Sequence, residues 1–129
     1  MRILFLGSGA FGLPTLERIA EAHDLVEIVT QPDRPAGRKR VPTPTPVARW
    51  AQERGGSHGW KGGLLKPEDV NDPSMRARIR SIEAEAWVVI AFGQKLGPPL
   101  LADRFAMNLH ASRLPRWRGA APINHAILA

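Results

Sequence analysis

The 129-residue chain has no cysteine and no tyrosine. Without thiols there are no disulfides, no thiolate nucleophile and no cysteine ligands for zinc. The four histidines stand far apart, at positions 23, 58, 110 and 125, and make no metal-ligand spacing, so no metal is expected. Aromatic residues make up only 6% of the chain, which leaves the core to aliphatic side chains. No apolar run approaches a membrane span, and the opening one, residues 3–6, is too short for the apolar stretch of a signal peptide. The expectation is a cytoplasmic protein without membrane contact. Carboxylates stop at Asp103, while Arg113, Arg116 and Arg118 crowd the stretch that follows.

With 43% hydrophobic residues, a chain of this length is expected to fold as one domain with a core of its own. The net charge of +6 is unevenly spread. A second basic cluster, Arg34, Arg38, Lys39 and Arg40, has only Asp33 beside it. Two such loops fit contact with phosphates, although solvated surface arginines give the same pattern.

Residues 2–6 read as a buried strand that ends at Gly7-Ser8-Gly9. Leu13, Leu16, Ile19 and Ala20 then recur at helical spacing, with Pro14 tolerable in the first turn. Residues 25–30 are a second strand, so the opening is a β-α-β unit and implies a parallel sheet. Five prolines make residues 31–46 a long loop. Val47, Trp50 and Ala51 predict a short helix closed by Gly55-Gly56. Asp72 and Ser74 are candidate caps for another, with Met75, Ile79 and Ile82 on one face. Residues 86–92 are apolar throughout and fit a central parallel strand. One helical turn is predicted at 98–102, a strand at 105–110 and the start of a helix at 122–128. Residues 55–63 break the alternation, with five glycines and no aliphatic residue where a third strand is wanted. That piece is expected to be irregular. The fold class is α/β, an open, mostly parallel Rossmann-like sheet with helices on both faces.

Two motifs carry chemistry. Gly7-Ser8-Gly9-Ala10-Phe11-Gly12 is a G-x-G-x-x-G between a strand and a helix, with Asp33 beyond the second strand. That context suits a dinucleotide, and equally a tight strand-to-helix turn. Asn108 and His110 are two apart in a strand and so share one face at its carboxyl end. An amide donor beside an imidazole suits acyl or formyl transfer: the first holds a developing oxyanion and the second relays a proton. The alternative is a strand-end Asn with a satisfied core His.

The longer stretch 108–123, Asn-Leu-His-Ala-Ser-Arg-Leu-Pro-Arg-Trp-Arg-Gly-Ala-Ala-Pro-Ile, resembles the signature loop of the folate-dependent formyltransferases. Residues 31–38, Gln-Pro-Asp-Arg-Pro-Ala-Gly-Arg, are similar to the loop by which that family's tRNA-acting branch touches the acceptor end. Val88-Val89-Ile90-Ala91-Phe92-Gly93 resembles its central strand and the folate-lining turn. The glycine-rich turn is similar too, and in this family implies no nicotinamide cofactor.

The resemblance implies that residues 1–129 are the amino-terminal part of a formyltransferase catalytic domain, with the sheet incomplete at the carboxyl end. It implies transfer of a formyl group from 10-formyltetrahydrofolate to the α-amino group of initiator methionyl-tRNA. Asn108 and His110 match the catalytic pair, and Ser112, Arg113, Leu114 and Pro115 the folate-contacting loop. Arg34, Arg38, Lys39 and Arg40 would hold the tRNA. Three positions depart from the family. Arg113 stands where it usually has Leu, residues 55–63 lack its third strand, and no carboxylate after Asp103 can serve as its catalytic Asp. The 129-residue chain alone is therefore expected to be inactive. Three rival readings remain: a family member acting on a nucleotide amino sugar, a non-catalytic folate- or RNA-binding relic, and a dinucleotide-binding oxidoreductase.

Overall fold

A computed structural model describes residues 1–54 and 60–109. At its centre is β1, Arg2–Gly7, in which Ile3, Leu4, Phe5 and Leu6 are all buried. Alternation along the strand sends Ile3 and Phe5 to one face and Leu4 and Leu6 to the other. An unbroken apolar run is what a strand covered on both sides requires.

A single 3-10 turn, Ala10–Gly12, leads into α1, Leu13–Ala22, which carries Pro14 in its first turn. There the missing N–H is one that no helical carbonyl would have accepted. Next come β2, Asp24–Val29, a short hairpin of β3, Arg34–Ala36, and β4, Val41–Thr43, and α2, Pro46–Arg54. The chain continues through β5, Gly63–Leu65, α3, Pro73–Arg80, and β6, Ala86–Ile90. A one-turn α4, Pro98–Leu101, precedes β7, Ala106–Leu109. The predicted helix at 122–128 lies outside the described residues.

Five strands form one sheet in the order β5-β2-β1-β6-β7, with every pairing parallel. One face packs Ile3, Phe5, Ile28, Val88 and Ile90 against Leu16 and Ile19 of α1 and Val47 and Ala51 of α2. The opposite face packs Leu4, Leu6, Val29, Trp87 and Val89 against Ile79 of α3 and Leu100 of α4. Each fully buried side chain of this size contributes about 1.5–3 kcal/mol. The α/β reading with helices on both faces holds.

Three sequence expectations need correction. Residues 31–46 are not a structureless loop, because β3 and β4 pair within them. Pro35 faces Pro42 in that ribbon. Two residues without N–H groups can oppose each other only at a non-hydrogen-bonded pair, where the ladder loses nothing. Second, a third parallel strand does exist, starting at the last residue of the glycine-rich piece, of which residues 55–59 lie outside the described residues. β5 begins at Gly63 and pairs with β2, Gly63 opposite Glu27. A Cβ at Gly63 would lie 2.5 Å from the Glu27 carboxylate oxygens, so the glycine leaves room for this carboxylate beside the strand. Third, β6 stops at Ile90 rather than at residue 92. Ala91 and Gly93 have φ of 48° and 95°, left-handed values that turn the chain out of the sheet.

Candidate active site

The chain leaves β1 toward β2 and β5 on one side, then returns to β6 and β7 on the other. The carboxyl ends of β1 and β6 are thus the point where successive connections diverge, the usual ligand position in an open α/β sheet. A cleft of about 320 Å³ opens there, lined by Phe11, Ala91, Phe92, Gly93, Gln94 and Asn108 among others. Phe11, half exposed at the cleft, had no distinguishing signal in the sequence beyond its place in the glycine-rich turn.

Asn108 reaches the cleft from β7. Its register partner is Val89, and neighbours in parallel strands point to the same face, here the one under α3 and α4. Met107 and Leu109 pack on the opposite face. Asn108 is half-buried, and among the described residues nothing hydrogen-bonds its side-chain amide. A donor at the rim of a partly desolvated cleft is equipped to meet an oxyanion. Its sequence partner His110 lies outside the described residues, as do Ser112, Arg113, Leu114 and Pro115.

The cleft wall at residues 91–94 belongs to no helix or strand and is held by hydrogen bonds from elsewhere. The Ala91 carbonyl accepts the N–H groups of Ser8 and Gly9, at 3.1 and 3.2 Å. The buried Ser8 hydroxyl donates to the Phe92 carbonyl at 2.7 Å and accepts the Gln31 N–H at 3.1 Å. Thr30 carries the network onward through a 2.6 Å contact between its hydroxyl and that of Thr45, which caps α2 by accepting the Ala48 N–H. One serine thus ties the ends of β1, β2 and β6 together.

These bonds also bear on the glycine-rich turn. The Ser8 and Gly9 amides, which a pyrophosphate would need, are both given to Ala91. Gly7 is required for packing, since a Cβ there would lie 2.7 Å from the Ile90 carbonyl oxygen. Asp33, the candidate ribose ligand, is paired with Lys66 at 2.7 Å. The turn is built for strand-to-helix packing rather than for a dinucleotide.

The basic cluster divides in two. Arg34 sits on β3 and pairs with Glu68 at 3.4 Å. Arg38, Lys39 and Arg40 occupy the hairpin tip, all exposed, in a turn closed by the Arg40 N–H on the Gly37 carbonyl at 3.3 Å. Among the described residues no carboxylate pairs with these three. Arg40 holds φ at 56°, a value at which Gly or Asn is more common. Three unneutralised cations on one tip form an anion-facing surface.

A larger concavity, about 770 Å³, opens at the opposite edge of the sheet between Arg2, Glu17, His23, Asp24, Trp50 and Trp60. Several of its polar groups are already engaged: the Trp50 indole and Arg54 on Glu17, the Trp60 indole on the Leu25 carbonyl. It also borders the amino ends of β1 and β2, the wrong edge for a ligand in this topology. Among the described residues no acid or histidine cluster could hold a metal ion, and no helix is long and apolar enough to cross a membrane.

The family model described as formyl transferase matches residues 1–129. A methionyl-tRNA formyltransferase of Acidothermus cellulolyticus is 46% identical over 131 residues, covering 99% of this chain and 39% of the relative. One from Cereibacter sphaeroides is 44% identical, covering 100% of this chain and 41% of its own length. One from Listeria innocua is 43% identical, covering 98% and 39%. The chain spans about two fifths of the length of the curated relatives it matches.

Proposed function

The chain belongs to the formyl transferase family, and from that membership we propose that residues 1–129 are the amino-terminal part of its catalytic domain, in a cytoplasmic protein that formylates initiator methionyl-tRNA from 10-formyltetrahydrofolate. The observation that carries this reading is the position of Asn108, an amide on the rim of the switch-point cleft. In the reaction the methionyl amine attacks the formyl carbon, and the carbonyl oxygen gains negative charge. The bond from that carbon to the folate nitrogen then breaks, and the amine's proton goes to the departing nitrogen. Free α-amino groups titrate at about 7.7–8.0, so roughly a fifth to a third of the amine is already neutral at physiological pH. Electrostatic support of the oxyanion is then the larger task for the protein.

In this reading the Asn108 amide donates to the oxyanion, and His110 supports that charge and carries the proton. Ser112, Arg113, Leu114 and Pro115 contact the folate, and the 91–94 wall lines its site. Arg38, Lys39 and Arg40 bind acceptor-stem phosphates, with Arg34 contributing less because Glu68 already pairs with it. The exposed cationic tip favours a polyanionic acceptor over a nucleotide amino sugar, which needs no such surface. The test supplies the full-length protein with 10-formyltetrahydrofolate and either charged initiator tRNA or a nucleotide amino sugar. Formyl-methionyl-tRNA is the expected product. Transfer to the amino sugar alone overturns the reading.

A further inference from the structure

Gln94 lines the cleft, yet its amide is spent. Its Oε1 accepts the Val70 N–H at 2.9 Å, and its Nε2 donates to Pro67 O at 2.9 Å and to Gln31 Oε1 at 2.7 Å. The two backbone partners fix which way this amide points, because one is a donor and the other an acceptor. Gln31 must then present its oxygen, which turns its own nitrogen toward Gly93. A Cβ at Gly93 would lie 2.7 Å from that nitrogen. The two glutamines are thus seated around a position where, with φ at 95°, glycine is favoured.

Gln31 is also the root of the basic hairpin. Pro32 follows it, buried, and then Asp33 and Arg34, whose ion pairs reach Lys66 and Glu68. Those pairs are substantially exposed and brace the hairpin only weakly. The part-buried amide pair is the direct side-chain contact that joins the hairpin's root to the cleft wall, beside the Ser8 hydroxyl that bridges the Gln31 N–H and the Phe92 carbonyl.

We propose that Gln94 is a positioning residue, locking the hairpin that holds the acceptor to the wall that holds the formyl donor. This rests on the tRNA reading above and adds the reason two binding surfaces on different connections meet at a fixed offset. Neither glutamine touches the reacting atoms. Their link sets where the methionyl amine stands relative to the formyl carbon, a geometry to which rate is steeply sensitive.

The test uses the full-length protein and four variants: Gln31→Met, Gln94→Met, the double variant, and Gln31→Glu, which keeps an acceptor for Gln94. With Gln31→Met, kcat should fall roughly tenfold, short of the ~10²-fold that a 1 Å misplacement can cost. Dissociation constants for tRNA alone and for the donor alone should stay within about twofold of the parent, since both binding surfaces are intact. The double variant should be no slower than the slower single, because both lose the same link. Gln31→Glu should retain the parent kcat. A purely structural role predicts lower melting temperatures with kcat unchanged, and that result overturns the proposal. So does a double variant whose losses multiply, or weakened donor binding in Gln31→Met. A parent that transfers nothing to methionyl-tRNA sinks the functional reading itself; an active parent with an unaffected Gln31→Met sinks only the lock.

Discussion

Asn108 stands opposite Val89 in the last parallel pair of the sheet, so a polar amide occupies the row that Val89 continues as packed hydrocarbon. One residue earlier along β7 would bring Met107, which faces the other layer. The pleat therefore delivers a single hydrogen-bonding side chain of β7 to the cleft.

If that amide holds the oxyanion, Asn108→Ala in the full-length protein should lower kcat about 10²–10³-fold, the loss typical of one oxyanion-hole donor. Donor binding should change little. Single-turnover rates within about threefold of the parent would contradict the role.

Arg38→Ala should weaken methionyl-tRNA binding and flatten its dependence on salt, by up to about 0.9 in the log–log slope for one lost phosphate contact. Arg34→Ala should do less, because Glu68 already neutralises that guanidinium. Binding titrations at several salt concentrations check both. Equal effects from the two substitutions, or loss of donor binding, would refute the division of the cluster.

Ser8→Ala removes the acceptor of the Gln31 N–H and the donor to the Phe92 carbonyl, inside a network that excludes water from Ser8. Leaving such groups unpaired costs about 1–3 kcal/mol. Urea unfolding of the full-length protein should show a midpoint shift with the slope unchanged. Turnover should fall as well, since the same hydroxyl holds the cleft wall.

Glu27 carries a pH dependence. Burial raises its carboxyl above the ordinary carboxylate range, opposed by the Gly63 N–H and the Arg78 guanidinium. A raised folded pKa means that the folded protein favours the protonated acid more than the unfolded chain does. Its contribution is then fully present below the unfolded pKa and is lost as pH rises through the folded value. Glu27→Gln should therefore be the more stable form near neutral pH, by a small margin because solvent screens the site. The margin should close by about pH 4, where the parent's carboxyl is protonated. Urea midpoints that differ equally at both pH values would exclude the mechanism.

The apolar runs of β1 and β6 and the amphipathic spacing of α1 were readable in the chain, because burial on both faces or on one leaves a periodic trace in composition. So was Asn108, the polar residue ending an apolar strand, and the basic cluster at 34–40. The third strand was not, since it is only three residues long and opens on a glycine, a residue that weakens a strand pattern. The β3–β4 ribbon was hidden by prolines that are harmless only at a non-hydrogen-bonded pair.

What the sequence determined by itself is the order of β1, α1, β2, α2, α3, β6, α4 and β7 and the family, all of which rest on local pattern or on matching strings of residues. The tertiary structure alone decided how the cleft is held. Ser8 meets Phe92 across 84 positions, and Gln94 meets Gln31 across 63. These bonds exist because β1 lies between β2 and β6, which brings the ends of distant strands to one edge. No periodicity encodes such a meeting: a hydrogen bond depends on the position and direction of two atoms, and the crossing of the sheet sets both.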